Sequence, residues 1–113
     1  MNNHLNSWCV RMTMVFKEPF WRYSHHSGNV NFSHEFLMNE LVELTPPDLS
    51  CGIVAFVFFK EGYLKWNQTI DKETFYEDEQ ELKRRKYELN KMKCLKIMAD
   101  LYLKGDVNHP YLQ

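Results

Sequence analysis

Between positions 8 and 16 the chain alternates: Trp8, Val10, Met12, Met14 and Phe16 are apolar, with Arg11 and Thr13 between them. A period of two sends successive side chains to opposite faces, so this stretch predicts a half-buried strand. Pro19 interrupts the pattern, since proline has no N–H for a ladder, and Phe20-Trp21-Arg22-Tyr23 reads as a second extended piece. Closing the two as a hairpin over 8–23 meets an obstacle. A three-residue loop pairs Phe16 with Phe20 and sends Trp21 and Tyr23 to the face opposite the apolar stripe. A one-residue slip mends the faces but leaves Pro19 in a turn position that suits neither two-residue hairpin type. Residues 24–31, rich in His, Ser, Gly and Asn, read as a loop. Ser33 then suits an N-cap, and Phe36, Leu37, Leu41 and Leu44 follow at helical spacing until Pro46-Pro47 ends the helix.

The second half opens on seven consecutive apolar residues, 53–59, the pattern of a strand covered on both faces. Lys60-Glu61-Gly62 fits a three-residue hairpin loop with Gly62 in the left-handed position. Pairing Phe59 with Tyr63 sets Phe58 across from Leu64 and Phe56 across from Trp66, while Lys65, Asn67 and Thr69 face the other way. Thr74-Phe75-Tyr76-Glu77 has the form of a capping box, and a long helix is expected from there to about Lys104, closed by Gly105. Its acidic start and later basic residues complement the helix dipole. Leu82, Leu89, Met92, Ala99 and Leu103 form one apolar stripe; Tyr87, Cys94, Met98 and Leu101 form a second. One helix face normally contacts one sheet, so two apolar faces imply a second neighbour, either the helix of 36–44 or another subunit.

The expected architecture is therefore a single α+β domain over 1–113. It has a small antiparallel sheet of two hairpins, two helices on one face in ββαββα order, an ordered core at 8–104 and a tail at 105–113. Composition agrees with a folded chain: 113 residues are 44% hydrophobic and 15% aromatic, enough apolar surface to offset the entropy of ordering. Net charge is −1, from 14 basic and 15 acidic residues, so no global field draws the chain to nucleic acid or an anionic surface. No run of apolar residues is long enough for a membrane span. Cys9, Cys51 and Cys94, an odd number widely spaced without a secretory start, suggest reduced thiols and a cytoplasmic setting.

Candidate chemistry is sparse. His25, His26 and His34 lie close in sequence, but adjacent histidines in an extended segment point apart, and no zinc-ligand spacing accompanies them; neither metal nor cofactor is expected. A nucleophile needs a base within reach, and Cys9 with His26 is the best pair the chain offers, on a hairpin register that is itself in conflict. The chain is therefore expected not to be an enzyme. Lys83-Arg84-Arg85-Lys86 suggests nucleic-acid binding, with Arg84, Arg85 and Lys86 meeting phosphates and exposed aromatics stacking on bases. The same helix start, however, sets four acids against these four bases.

Six methionines, abundant aromatics and a helix end that is apolar nearly all round favour a protein partner instead. The reading is a non-enzymatic protein-binding module, homodimeric through its C-terminal helix, that occludes a partner's working surface. Contact residues are Tyr87, Met98, Leu101 and Tyr102, with Trp21 and Tyr23 as a second patch. Domains of this kind are frequent among small viral and mobile-element accessory proteins that inhibit host enzymes, which is an association of type and not a property of these residues. The alternative is the nucleic-acid-binding domain.

Overall fold

The alternating segment forms a strand, β1 (Cys9–Phe16), as its period of two dictates. The structure, a computed structural model, describes residues 8–32, 37–74 and 78–113. Among these, β1 is followed by β2 (Val30–Asn31), β3 (Glu40–Glu43) and β4 (Gly52–Phe59), then by the helices α1 (Lys60–Glu73) and α2 (Glu79–Tyr102). Short 3-10 helices occupy Phe20–Ser24 and Pro110–Leu112. The protein is a small α+β protein with a four-stranded antiparallel sheet and two helices, the second long. The strands all precede the helices, so the expected ββαββα order is corrected.

The sheet runs β1-β4-β3-β2. The apolar run takes an inner position, and Val54 through Phe58 are buried on both faces. Its partner on one side is β1, in an unbroken antiparallel register from Cys9 opposite Phe59 to Phe16 opposite Gly52. On the other side lies β3, with Leu41 opposite Phe56 and Glu43 opposite Val54. Opposed residues share a face, so Val10, Met12, Met14 and Phe16 join Phe58, Phe56, Val54 and Leu41 on the covered face. Cys9, Arg11, Thr13 and Val15 lie on the other and are exposed.

Three local expectations are corrected. Residues 20–23 are not a strand: Phe20–Ser24 is a 3-10 helix in which both Phe20 and Trp21 are buried. Two adjacent side chains reach one core only if the chain turns between them, which a half-buried strand cannot do. The two rings stack edge-on against Phe16 and each other at centroid distances of 5.1–6.0 Å. No side chain fits beneath them at Gly52, where a Cβ would lie 2.8 Å from both Pro19 Cα and Trp21 Cη2.

Residues 40–43 are strand β3 and not part of a helix; Leu41 points into the core while Val42 points the other way. The start of that expected helix at Ser33 lies outside the described residues. Lys60-Glu61-Gly62 does not turn a hairpin but starts α1, so the expected strand after it is helical. Trp66 and Ile70 are its buried positions, four apart, and Thr74 just past its end is buried at the same spacing. Gly62 is required for space and not for a left-handed φ: a Cβ there would stand 2.0 Å from the Leu37 carbonyl oxygen.

The expected long helix is present as α2. Its N-cap is Asp78, whose carboxylate accepts from Gln80 N–H at 3.0 Å. Thr74 instead follows the end of α1, its hydroxyl donating to Ile70 C=O at 2.7 Å; the rest of the expected capping box lies outside the described residues. At the other end Lys104 (φ 54°) takes the first left-handed position expected of Gly105. Gly105 follows at φ 82° with its N–H on Ala99 C=O, 2.9 Å away, so that carbonyl, which also accepts from Leu103 N–H, closes the helix end.

The chain divides into two compact units, Met1–Leu64 and Lys65–Gln113. The first contains the sheet and the opening turn of α1, where Tyr63 meets Phe58 and Trp8 edge-on. In the second, Trp66 Nε1 donates to Asn90 Oδ1 at 2.6 Å, and Lys86 and Lys93 reach back to Asp71 and Glu73. The segment expected as a tail places Leu112 in a buried position.

Candidate functional site

The free edge of the sheet follows from how the ladder alternates. In β4, Val57 C=O accepts from Asn39 N–H at 2.9 Å and Ile53 C=O accepts from Leu44 N–H at 2.8 Å. The odd positions of β4 therefore turn their backbone groups toward β3. The even positions, 52 to 58, turn theirs toward β1 and engage Phe16, Met14, Met12 and Val10. What remains on β1 is Cys9, Arg11, Thr13 and Val15, whose N–H and C=O groups point away from the sheet. Four donors and four acceptors thus line the edge, with no partner among the described residues.

Edges of this kind are usually blunted by proline, a bulge, short length or several charges. β1 is eight residues long, has no proline, keeps its register without a bulge and carries one charge, Arg11. Its side chains are suited to further pairing on both faces. Val10, Met12 and Met14 are only half-buried on the covered face, and Val15 on the other is 66% exposed. Strand residues left half-covered at an edge are the ones an added strand would shield.

A second cluster fixes the turn that follows β1. Glu43, on the covered face, accepts from the Trp21 indole N–H and from Arg22 Nε and Nη2, the latter two at 2.9 and 2.6 Å. Thr45 Oγ1 donates to the same carboxylate at 3.3 Å, and Asn29 Oδ1 accepts from Glu43 N–H at 2.8 Å. Burial pushes the Glu43 carboxyl up, but the hydrogen bonds from Arg22 and Trp21, the Arg22 charge and Thr45 together hold it below the ordinary carboxylate range. The bond to Glu43 likewise raises Arg22. Three donors of the fold converge on Oε2 and one on Oε1, so this carboxylate acts as a clamp.

The sequence-derived candidates are distributed as follows. In the first unit, Trp21 is 1% exposed and belongs to the core, whereas Tyr23 is 58% exposed. In the second, Met98 is fully buried, Leu101 and Tyr102 are half-buried, and Tyr87 is 69% exposed. Trp21 and Met98 are therefore interior positions and present no surface. Met98, Leu101 and Tyr102 adjoin one another on α2. Tyr87 lies three turns earlier on the same line of the helix, where that line is uncovered.

Arg84 bridges Glu81 and Glu88 at 2.5 and 2.8 Å, Arg85 bonds Glu81 at 3.0 Å, and Lys86 bonds Asp71 at 2.8 Å. Each basic side chain proposed for phosphates already faces a carboxylate, and Glu81 is held below its ordinary range chiefly by Arg84. Cys9 sits opposite Phe59, so the hairpin that would bring it to His26 does not form. Burial pushes the Cys94 thiol up to about 12. His25 and His26 are exposed, His34 lies outside the described residues, and no group of three metal-ligating side chains assembles among the described residues. Among them too, no helix is long and apolar enough to cross a membrane.

Comparison with protein-family models, with curated proteins and with solved structures finds no match.

Proposed function

We propose that the chain acts by binding protein, accepting a strand along the free edge of β1, with no chemistry of its own. The observation that carries this reading is the row of outward backbone groups at Cys9, Arg11, Thr13 and Val15 on a regular strand, without a partner among the described residues. Main-chain pairing supplies the affinity of such a contact, and the alternating side chains select the partner. A module of this kind works by occlusion, as an inhibitor that covers its target's working surface does. Tyr23 and Tyr87 are exposed aromatics available for further contact. Nucleic-acid binding through Arg84, Arg85 and Lys86 is the less favoured reading, because phosphate would have to displace a carboxylate at each of the three.

Thr13→Pro tests the reading. It deletes one outward N–H while leaving the inward ladder to β4 complete, and edge strands tolerate proline at such positions. Wild type and Thr13→Pro are compared for polypeptide retained from an extract of the source cells over a salt series. Retention that Thr13→Pro abolishes and salt spares is the expected result. Retention unaffected by Thr13→Pro overturns the strand-edge reading, and a salt-labile nucleic-acid complex lost in Arg85→Glu supports the alternative.

A further inference from the structure

The strand that fits this edge best is the edge itself. We infer that β1 pairs antiparallel with β1 of a second copy of this chain about a two-fold axis at Met12, an inference that rests on the strand-edge reading above. The outward groups sit at positions 9, 11, 13 and 15, a set symmetric about position 12. A two-fold axis there sets Cys9 opposite Val15 and Arg11 opposite Thr13 of the second copy. All four donors and four acceptors of each copy then find partners, giving eight hydrogen bonds. Centring on Thr13 drops Cys9 beyond the end of the facing strand, and centring on Arg11 sets one guanidinium directly against another, which is unfavourable. A centre between residues is excluded, because it would join the Val10–Phe16 face of one sheet to the opposite face of the other.

The side chains match as well as the backbone. Among the exposed β1 side chains small or apolar Cys9 meets Val15, and polar Arg11 meets Thr13. On the covered face Val10 meets Met14, and the two Met12 side chains lie side by side. Each of Val10, Met12 and Met14 is half-buried in one copy, so the pairing completes their cover. An unrelated strand would have to reproduce this two-faced pattern, whereas a second copy does so by symmetry. The product is a continuous eight-stranded antiparallel sheet with the two β2 strands at its ends.

The test uses the full chain in a Cys9→Ser, Cys51→Ser background. A residue on the axis meets its own copy as a non-hydrogen-bonded pair with Cα atoms about 4.5 Å apart, within the span of a disulfide. Light scattering across a concentration series is expected to rise toward twice the 13.7 kDa chain mass, and Thr13→Pro is expected to stay monomeric with an unchanged circular dichroism spectrum. Under mild oxidation Met12→Cys should cross-link, and Thr13→Cys and Met14→Cys should not. Preferential cross-linking through Thr13→Cys overturns the axis at Met12. A monomeric mass at every concentration with no Met12→Cys cross-link overturns the dimer. If that happens while Thr13→Pro still loses a captured protein, the edge serves a different partner and the protein-binding reading stands. If Thr13→Pro changes neither mass nor capture, both fall.

Discussion

Replacing Gly62 by alanine sets two well-calibrated effects against each other. Alanine in a helix interior is favoured over glycine by about 1 kcal/mol, so propensity alone predicts that Gly62→Ala stabilises α1. The surroundings predict the reverse. The new Cβ would stand 2.0 Å from the Leu37 carbonyl oxygen and 3.1 Å from its carbon, where ordinary contact begins at 3.4 Å. Neither backbone yields cheaply. Asn39, two residues on, is tied to β4 twice: its N–H donates to Val57 C=O at 2.9 Å, and its Oδ1 accepts from Phe59 N–H at 2.7 Å.

Relieving more than an ångström of overlap must therefore displace the 37–39 segment or the first turn of α1. Overpacking costs about 1–3 kcal/mol in general, and a clash with a tethered backbone belongs at the upper end. Net of the propensity gain, Gly62→Ala should destabilise by about 2 kcal/mol, or lower the melting temperature by roughly 8 °C for a chain of this size. Gly105→Ala is the control, since a Cβ there meets only Asp100 Oδ1 at 3.5 Å and its cost comes from the positive φ alone. Thermal unfolding followed by circular dichroism decides the matter. A Gly62→Ala protein as stable as wild type, or more so, would refute the close approach of Leu37 to α1.

Three further outcomes follow from the polar clusters and the thiols. Glu43 is held below its unfolded value, so the stability it contributes is complete above about pH 4.3 and is lost as pH falls through its folded value. The stability gap between wild type and Glu43→Gln should accordingly narrow on acidification; a gap constant from neutral to acid pH would contradict the clamp. Asn90→Ala removes the acceptor of the buried Trp66 indole N–H and should cost about 1–3 kcal/mol in urea unfolding, with a change under 0.5 kcal/mol counting against that bond. With a thiol reagent at neutral pH, exposed Cys9 should react in the folded protein, while Cys94, with its thiol up to about 12, should react only on unfolding. Equal rates for the two would mean that the second unit opens readily.

What could be read from sequence was the part fixed by local pattern. The alternation of β1, the apolar run of β4 and the charge gradient of α2 each fit one kind of element only. Segment 60–73 fits two. Leu64 and Trp66 alternate with polar neighbours, but Tyr63, Trp66, Ile70 and Thr74 also recur at helical spacing, and the longer period wins because it continues past Ile70. Gly62 misleads, since its need for open space looks like a turn. Leu41 was ambiguous in the same way, and the four-residue strand that holds it is too short to show a period.

The candidate site was not legible. β1 is an edge because β4 lies between it and β3, an order set by contacts some forty residues apart in sequence. The same holds for the Glu43 clamp, whose members Trp21 and Arg22 are separated from it by 22 and 21 residues. Counting aromatics suggested a surface, whereas Trp21 is used as core.

The two buried indoles also give the molecule a built-in optical division. Trp21 lies in the first unit against a carboxylate, Trp66 in the second against an amide, and Trp8, the third tryptophan, is 41% exposed. The carboxylate and the amide create different electrostatic surroundings, so the two emissions should differ in wavelength and in their response to acid. With Trp8→Phe as background, Trp21→Phe and Trp66→Phe each leave one reporter per unit. Fluorescence of the pair then reads separately whether Met1–Leu64 and Lys65–Gln113 lose structure in one transition or in two.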